Sequence, residues 1–317
     1  MISNMGFERL VVVGAGAIGG TIAGMLAAND HAVLLVARGE HGESIRQDGL
    51  QVKFPHRTLT SHPSCVASVE QVDFRPDDVV LVATKLYDAE EVMDGVLRRA
   101  GSKVPMVTAF NRVQGEAWAM ERFETVIGML IWMPSVYLHP GDIRVYGEDC
   151  PGVLDVGPYQ GEAAMKLAGS LAKWLSNSRF DSVVRDDIQR WKYAKWISNL
   201  GNAAQALVVD DWKSVARAAQ AEGELVLNAA GFDRVSTGEL LDRARHIRLK
   251  PVDGEKRPGG STWQSLQRGQ PLETPWLEGA MAELAEQSGV KADVCRAIAN
   301  AAQDRRQVSA GEILNGT

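Results

Sequence analysis

Four apolar residues in succession, at positions 10–13, run without a polar spacer into Gly14-Ala15-Gly16-Ala17-Ile18-Gly19. A continuous apolar run of this length suits a parallel strand buried on both faces, and the helix formers of residues 21–28 predict a helix directly after the turn. Comparable runs at residues 31–37, 78–84, 104–110, 125–133, 143–147 and 152–157 predict further strands. Residues 51–54 and 57–60 alternate around Pro55-His56 and predict a small hairpin, while Pro140-Gly141 marks a turn. Residues 161–176 then read as a helix and residues 180–184 as a last short strand.

From about Arg185 the strand signals end, and helical segments follow one another to the C-terminus. The pattern therefore predicts an α/β chain in two parts: a Rossmann-type doubly wound sheet over residues 1–184 and an all-α domain over residues 185–317. Residues 186–207 read as one helix, on which Ile188, Trp191, Lys195, Asn199, Asn202 and Gln205 recur at steps of three or four and share a face. That face begins apolar and turns polar. With Trp196, Ile197 and Leu200 beside it, the stripe predicts a half-buried helix whose polar end meets something that needs hydrogen bonds and charge. Farther on, residues 257–260 form a loop that opens a helix with Ser261 or Thr262 as its cap. Glu273 stands just ahead of a helix over residues 279–288, where an acid complements the dipole.

Composition narrows the function classes. Of 317 residues, 45% are hydrophobic and 23% charged, the balance of a soluble globular chain rather than a disordered or fibrous one. The apolar runs fall short of a membrane span, and residues 1–6 lack the basic and apolar regions of a signal peptide, so a cytoplasmic protein without a membrane partner is expected. Cys65, Cys150 and Cys295 are far apart and form no C-x-x-C pair, which predicts neither a disulfide framework nor a metal site. His56, His62 and His246 read as surface residues. The net charge of −6 supplies no basic field for nucleic acid. An anionic ligand must then be held by local positive groups.

The glycine turn is where such a ligand is expected. Gly14 permits the tight turn, Gly16 the approach of a pyrophosphate, and Gly19 the close packing of helix on strand. The following helix start adds unpaired N–H groups. Arg38 ends the second strand, where an arginine suits the 2′-phosphate of NADP(H) and a carboxylate would suit NAD; Glu40 is the nearby rival. Lys85, at the carboxyl end of the strand over residues 78–84, can meet a phosphate or carboxylate. Asn111, after the next strand, either caps a helix near Val113 or bonds a ligand.

Taken together these residues resemble the ketopantoate reductase family, and the resemblance covers nearly the whole chain. The family's G-x-G-A-x-G is Gly14 to Gly19 here, its arginine after the second strand Arg38, its strand-end lysine Thr84-Lys85 and its next-strand asparagine Asn111. Its W-x-K-L-x-x-N helix is matched by Lys195-Trp-Ile-Ser-Asn199 after Trp191. S-S-M-x-Q-D and T-E-I-D-Y-x-N-G are matched by residues 260–265 and 272–279. The resemblance implies an NADP(H)-dependent reductase of a 2-keto acid, 2-dehydropantoate or a relative, acting in pantothenate biosynthesis. It assigns cofactor binding to Gly14, Ala15, Gly16, Ala17, Ile18, Gly19, Arg38, Lys85 and Asn111. It makes Lys195 the proton donor, with Glu273 orienting that lysine, the ribose or a substrate hydroxyl. Asn199, Asn202 and Ser261 hold the substrate oxygens, and Lys85 and Asn111 bridge cofactor and substrate.

Departures bear on the substrate more than on the reductase chemistry. Arg112 stands where the family has a glycine, Asn202 follows Asn199 by three residues instead of four, and Pro275 and Glu278 replace an aspartate and an asparagine. On a helix, three and four still share a face. Two other readings stay open: an opine-type or hydroxyacid dehydrogenase on the same fold, and a non-catalytic NADP-sensing protein, against which Lys195 and Glu273 speak. The partner expected is a small molecule, with a homodimer left open.

Overall fold

In the computed structural model, which describes residues 6–111 and 113–316, the first apolar run forms β1 (Arg9–Val13), buried at every position. The chain continues through α1 (Ala17–Ala27), β2 (Val33–Val36), α2 (Gly39–Asp48), β3 (Leu50–Phe54), β4 (Arg57–Ser61) and β5 (Ser64–Val66). Then come β6 (Asp78–Val82), α3 (Leu86–Ala100), β7 (Met106–Thr108), α4 (Gln114–Met120), β8 (Val126–Trp132), β9 (Ser135–His139), β10 (Asp142–Val145), β11 (Val153–Gln160) and α5 (Ala164–Asn177). Helices alone follow: α6 (Ile188–Asn199), α7 (Gly201–Leu207), α8 (Trp212–Ala229), α9 (Thr237–Ala244), α10 (Ser261–Gln267), α11 (Glu278–Gln287), α12 (Asp293–Gln303) and α13 (Ala310–Asn315).

The main sheet has seven strands in the order β11-β8-β7-β6-β1-β2-β5. All its pairings are parallel except that of β11 with β8. The chain leaves β1 toward β2 and β5, then returns to β6 on the other side of β1, so the strand order reverses beside β1. Ligands of doubly wound sheets sit outside the carboxyl ends at such a point. Those ends are level, since Val13 pairs with both Val36 and Val82, and Val82 with Thr108. The segments carrying Gly14, Arg38, Lys85 and Asn111 therefore leave the sheet along one edge.

A second sheet, β4-β3-β10-β9, contains the expected hairpin but was not expected as a sheet. The unexpected helix α2 buries only His41, Gly42 and Ile45 of its mostly polar residues, too few for an apolar stripe. Residues 180–184 make isolated parallel bridges, Asp181 with Val153 and Val184 with Val156, instead of a strand. The helix expected over residues 186–207 breaks at Leu200. There a Cβ on Gly223 would lie 2.7 Å from Leu200 Cδ1 and one on Gly201 3.0 Å from Ala216 Cβ, so the chain packs closely on α8 around the break. Val113, not Asn111, precedes α4, and Gly260, not Ser261 or Thr262, caps α10.

The chain divides into two compact units. One extends to Gln189 and includes Leu241–Arg257; the other comprises Arg190–Leu240 and the residues from Pro258 onward. The single boundary expected after residue 184 thus becomes a division at 189/190 with one returning segment. Backbone pairing explains the return: Gly147 bridges Leu249, and Lys250 N–H donates to Tyr146 O at 2.9 Å. The first unit's core runs through Leu10, Val12, Ile22, Leu35 and Leu81. In the second, Trp196, Leu200, Ala203, Val226, Met281 and Ile298 are buried. Among the described residues no helix is long and apolar enough to cross a membrane, and no cluster of three or more metal-ligating side chains occurs.

Charge fixes the returning segment as well. Asp155, fully buried on β11, receives Arg185 Nε and Arg243 Nη2, both at 2.7 Å, and Arg243 also pairs with Asp181. Truncating one partner of a buried ion pair leaves a charge poorly compensated. Arg243→Ala is therefore expected to lower stability by about 3 kcal/mol, read from urea unfolding, and to hasten proteolysis within residues 241–257.

Candidate functional site

The glycine turn is shaped by contacts that exclude side chains at two places and by open space at a third. Gly14 has φ +105°, and a Cβ there would lie 2.9 Å from the backbone of Ala83 and Thr84. A Cβ on Gly19 would lie 2.0 Å from Gly14 O and 2.9 Å from Ala83 Cβ. At Gly16 a Cβ would meet nothing within 4 Å. Gly16 precedes α1, which has no side-chain cap and no acid in its first turn, so the positive end of the helix is left to an anion.

The neighbouring residues fit a dinucleotide. Thr84 Oγ1, beside Gly14, is buried and finds no hydrogen-bond partner among the described residues. Arg38 precedes α2 with its side chain 81% exposed, and its Nη2 lies 2.7 Å from Asp88 Oδ2 on α3. Lys85 immediately precedes α3, and Asn111 is half-buried beyond β7. Arg112 lies outside the described residues.

His41 is a residue the sequence reading missed. It is 7% exposed, its Nε2 lies 2.8 Å from Ala15 O, and its Nδ1 accepts the Gly141 N–H at 2.9 Å. An imidazole nitrogen that accepts carries no proton, so Nε2 carries it and donates to Ala15 O. The ring also rests on Tyr137, with centroids 4.4 Å apart. These partners lie 26 and 100 residues away in sequence, and no local pattern announces them.

The second unit holds the polar helix face. Asn199 is buried, and Asn202 Nδ2 approaches its Oδ1 at 3.4 Å. Gln205 Oε1 accepts the Gly260 N–H at 2.9 Å, and a Cβ on Gly260 would lie 3.3 Å from Asn202 Oδ1. The stripe therefore meets the start of α10, whose first residue is Ser261. Lys195 lies one turn before Asn199, half-buried between the buried Ala194 and Trp196. Trp196 Nε1–H donates to Leu277 O, and Leu277 N–H donates to Glu273 O, each at 3.2 Å, so α6 is tied to the turn that Glu273 opens. That turn is a short 3-10 segment, Thr274–Trp276, with Pro275 inside it. The helix that follows begins at Glu278, one residue before its expected start, and Glu278, not Glu273, is the acid of its first turn.

Glu278 is fully buried, and its carboxyl oxygens make no hydrogen bond of ordinary geometry among the described residues. Burial pushes its pKa up to about 8; the amides of Glu278 itself and Ala203 pull the other way and offset only part of this. The carboxyl is thus a neutral acid at pH 7.

Comparison with known proteins bears on the whole chain. Residues 10–161 match the family described as Ketopantoate reductase PanE/ApbA, and residues 187–306 match Ketopantoate reductase PanE/ApbA C terminal. A 2-dehydropantoate 2-reductase from Halobacterium salinarum is 29% identical over 313 residues, covering 92% of this chain and 97% of the relative. One from Archaeoglobus fulgidus is 26% identical over 310 residues, covering 93% and 97%. Among solved structures, a PanE/ApbA family ketopantoate reductase from Ralstonia eutropha shares the fold with a TM-score of 0.76 at 20% identity, covering 93% of this chain and 97% of that one. D-mandelate dehydrogenase with NADH and anilino(oxo)acetate does so with a TM-score of 0.78 at 19% identity, covering 94% and 98%.

The buried acid has a consequence for stability. In the unfolded chain Glu278 ionises near 4.5, whereas in the folded chain it keeps its proton to about 8. Folded stability is thus fullest below the lower value and falls as pH rises through the higher one. Glu278→Gln should raise Tm by several degrees at about pH 9 and by little at about pH 4. Thermal unfolding of both proteins across that range checks it.

Proposed function

We propose, for a chain that belongs to the ketopantoate reductase family, that it reduces a 2-keto acid with NADPH, taking its proton from Lys195. The chain is a 2-dehydropantoate 2-reductase-like oxidoreductase. The observation that carries the finer reading is the helix face on which a lysine is followed one turn later by two amide side chains set against the start of α10. The glycine turn would hold NADPH, whose nicotinamide would supply the hydride for the carbonyl carbon. The Lys195 ammonium stabilises the charge developing on the carbonyl oxygen and donates the proton that makes it a hydroxyl. Asn199, Asn202 and Ser261 hold the substrate's other oxygens, and Glu273 orients the lysine or a hydroxyl. Lys85 and Asn111 bridge cofactor and substrate.

Arg38 supports NADPH over NADH. Its bond to Asp88 is an exposed ion pair, of a kind that contributes roughly 0–1 kcal/mol. A charge-assisted, bidentate bond to a 2′-phosphate is stronger, so the guanidinium is held in place yet free to turn to the phosphate. A related hydroxyacid dehydrogenase is the second reading, favoured by Pro275 and the buried Glu278 in the motif where the resemblance has other residues.

Purified protein should oxidise NADPH with ketopantoate or another member of a 2-keto acid panel that includes the keto acid of mandelate. Fastest turnover on ketopantoate supports the first reading and on an aryl keto acid the second, while tight NADPH binding without turnover on any member refutes both. Lys195→Ala should lower kcat by a factor of ~10² or more with the NADPH Kd kept; near-normal turnover refutes the proton-donor role. Arg38→Ala should weaken NADPH on the order of tenfold or more and leave NADH nearly unchanged, measured by titration. Equal losses for both cofactors refute the 2′-phosphate role.

A further inference from the structure

We infer that His41 is a positioning residue for the cofactor: its imidazole holds the Ala15 carbonyl and so aims the Gly16 amide of the phosphate-binding turn. This rests on the proposed binding of NADPH at that turn. Ala15 C=O and Gly16 N–H belong to one planar trans peptide and point to opposite sides of it. A donor that fixes the carbonyl therefore fixes the amide as well. His41 Nε2–H is that donor, at 2.8 Å, from a buried ring. Gly16, on the other side of the same peptide, is where a Cβ would find no atom within 4 Å. A ligand that bonds to this amide meets a group already oriented, and a donor that need not reorganise on binding contributes more to affinity than a mobile one.

The ring can hold the turn because it is itself held from the second sheet. Gly141, in the turn between β9 and β10, donates its N–H to Nδ1, and Tyr137 of β9 lies against the ring. Next to this, Ile143 of β10 presses on α1: a Cβ on Gly20 would lie 2.3 Å from Ile143 Cδ1 and 2.7 Å from Ala15 O. The four-stranded sheet thereby acquires a task in the first unit, as the anchor of the bracket on the glycine turn. Each ring nitrogen has a separate job, one donating and one accepting, so the two bonds can be removed one at a time.

The test uses the full-length chain and NADPH. In His41→Gln the amide nitrogen takes the place of Nε2 and keeps the bond to Ala15 O; in His41→Asn the amide oxygen takes the place of Nδ1 and keeps the bond from Gly141. A net hydrogen bond of roughly 0.5–1.5 kcal/mol corresponds to about a two- to twelvefold change in Kd. The Asn variant is expected to weaken NADPH by about that factor with kcat at saturation kept, and the Gln variant to bind like the wild type. Equal Kd values in all three proteins, or equal weakening in both variants alongside equal falls in Tm, overturn the inference and reduce His41 to a packing residue. Failure of the wild-type chain to bind NADPH overturns the cofactor reading first and this inference with it. Should a variant not fold, 15N spectra of the wild-type imidazole decide: the Nε2–H tautomer, with an Nε2 resonance that shifts on adding NADPH, is expected, and the Nδ1–H tautomer overturns the bracket.

Discussion

A side chain at Gly19 would have its first carbon 2.0 Å from the carbonyl oxygen of Gly14, and the arrangement of the first unit depends on that space being free of a side chain. Contact of α1 with the turn after β1 leaves the start of α1 directly beyond the strand end. The level ends of β2, β6 and β7 then deliver Arg38, Lys85 and Asn111 along the same edge. A glycine turn on a staggered sheet would bind phosphates without bringing the cations after β2 and β6 to the same edge. The approach continues at Gly20, where Ile143 of the second sheet fills the volume a side chain would need.

The parts of the fold legible in sequence were those whose burial is complete along a strand or periodic along a helix. β1, β6 and β8 are apolar throughout or nearly so, and the hairpin of β3 and β4 alternates around its turn. α2 was not legible because it buries so little, and the pairing of β3 with β10 joins residues some ninety positions apart with no local trace. The same holds for the return of residues 241–257, fixed by Arg243 on Asp155 and by pairing with the backbone around Gly147. In the candidate site, the glycine turn and the face of Asn199, Asn202 and Gln205 follow from local spacing. The seating of Gln205 on Gly260 and the bracket of His41 depend on which loops meet, which spacing does not record.

Two sets of ion pairs in the first unit are handled in opposite ways, and the difference follows from burial. Asp155 in the interior is met by two guanidiniums, whereas Arg38 pairs with Asp88 in solvent, where such a bond is weak.

Glu278 takes a third course. Among the described residues neither a guanidinium nor solvent meets it, and burial makes the neutral acid its stable form to about pH 8. A neutral carboxylic acid offers one O–H donor and one carbonyl acceptor, and the side chain of asparagine likewise combines a donor amide with an acceptor carbonyl. Glutamate in place of the asparagine of the resembled motif therefore keeps the position neutral while adding one methylene to the reach. Beside it, Pro275 holds the preceding turn in a 3-10 form and denies it a backbone donor. Both changes leave the Trp196–Leu277 tie between α6 and the Glu273 turn in place.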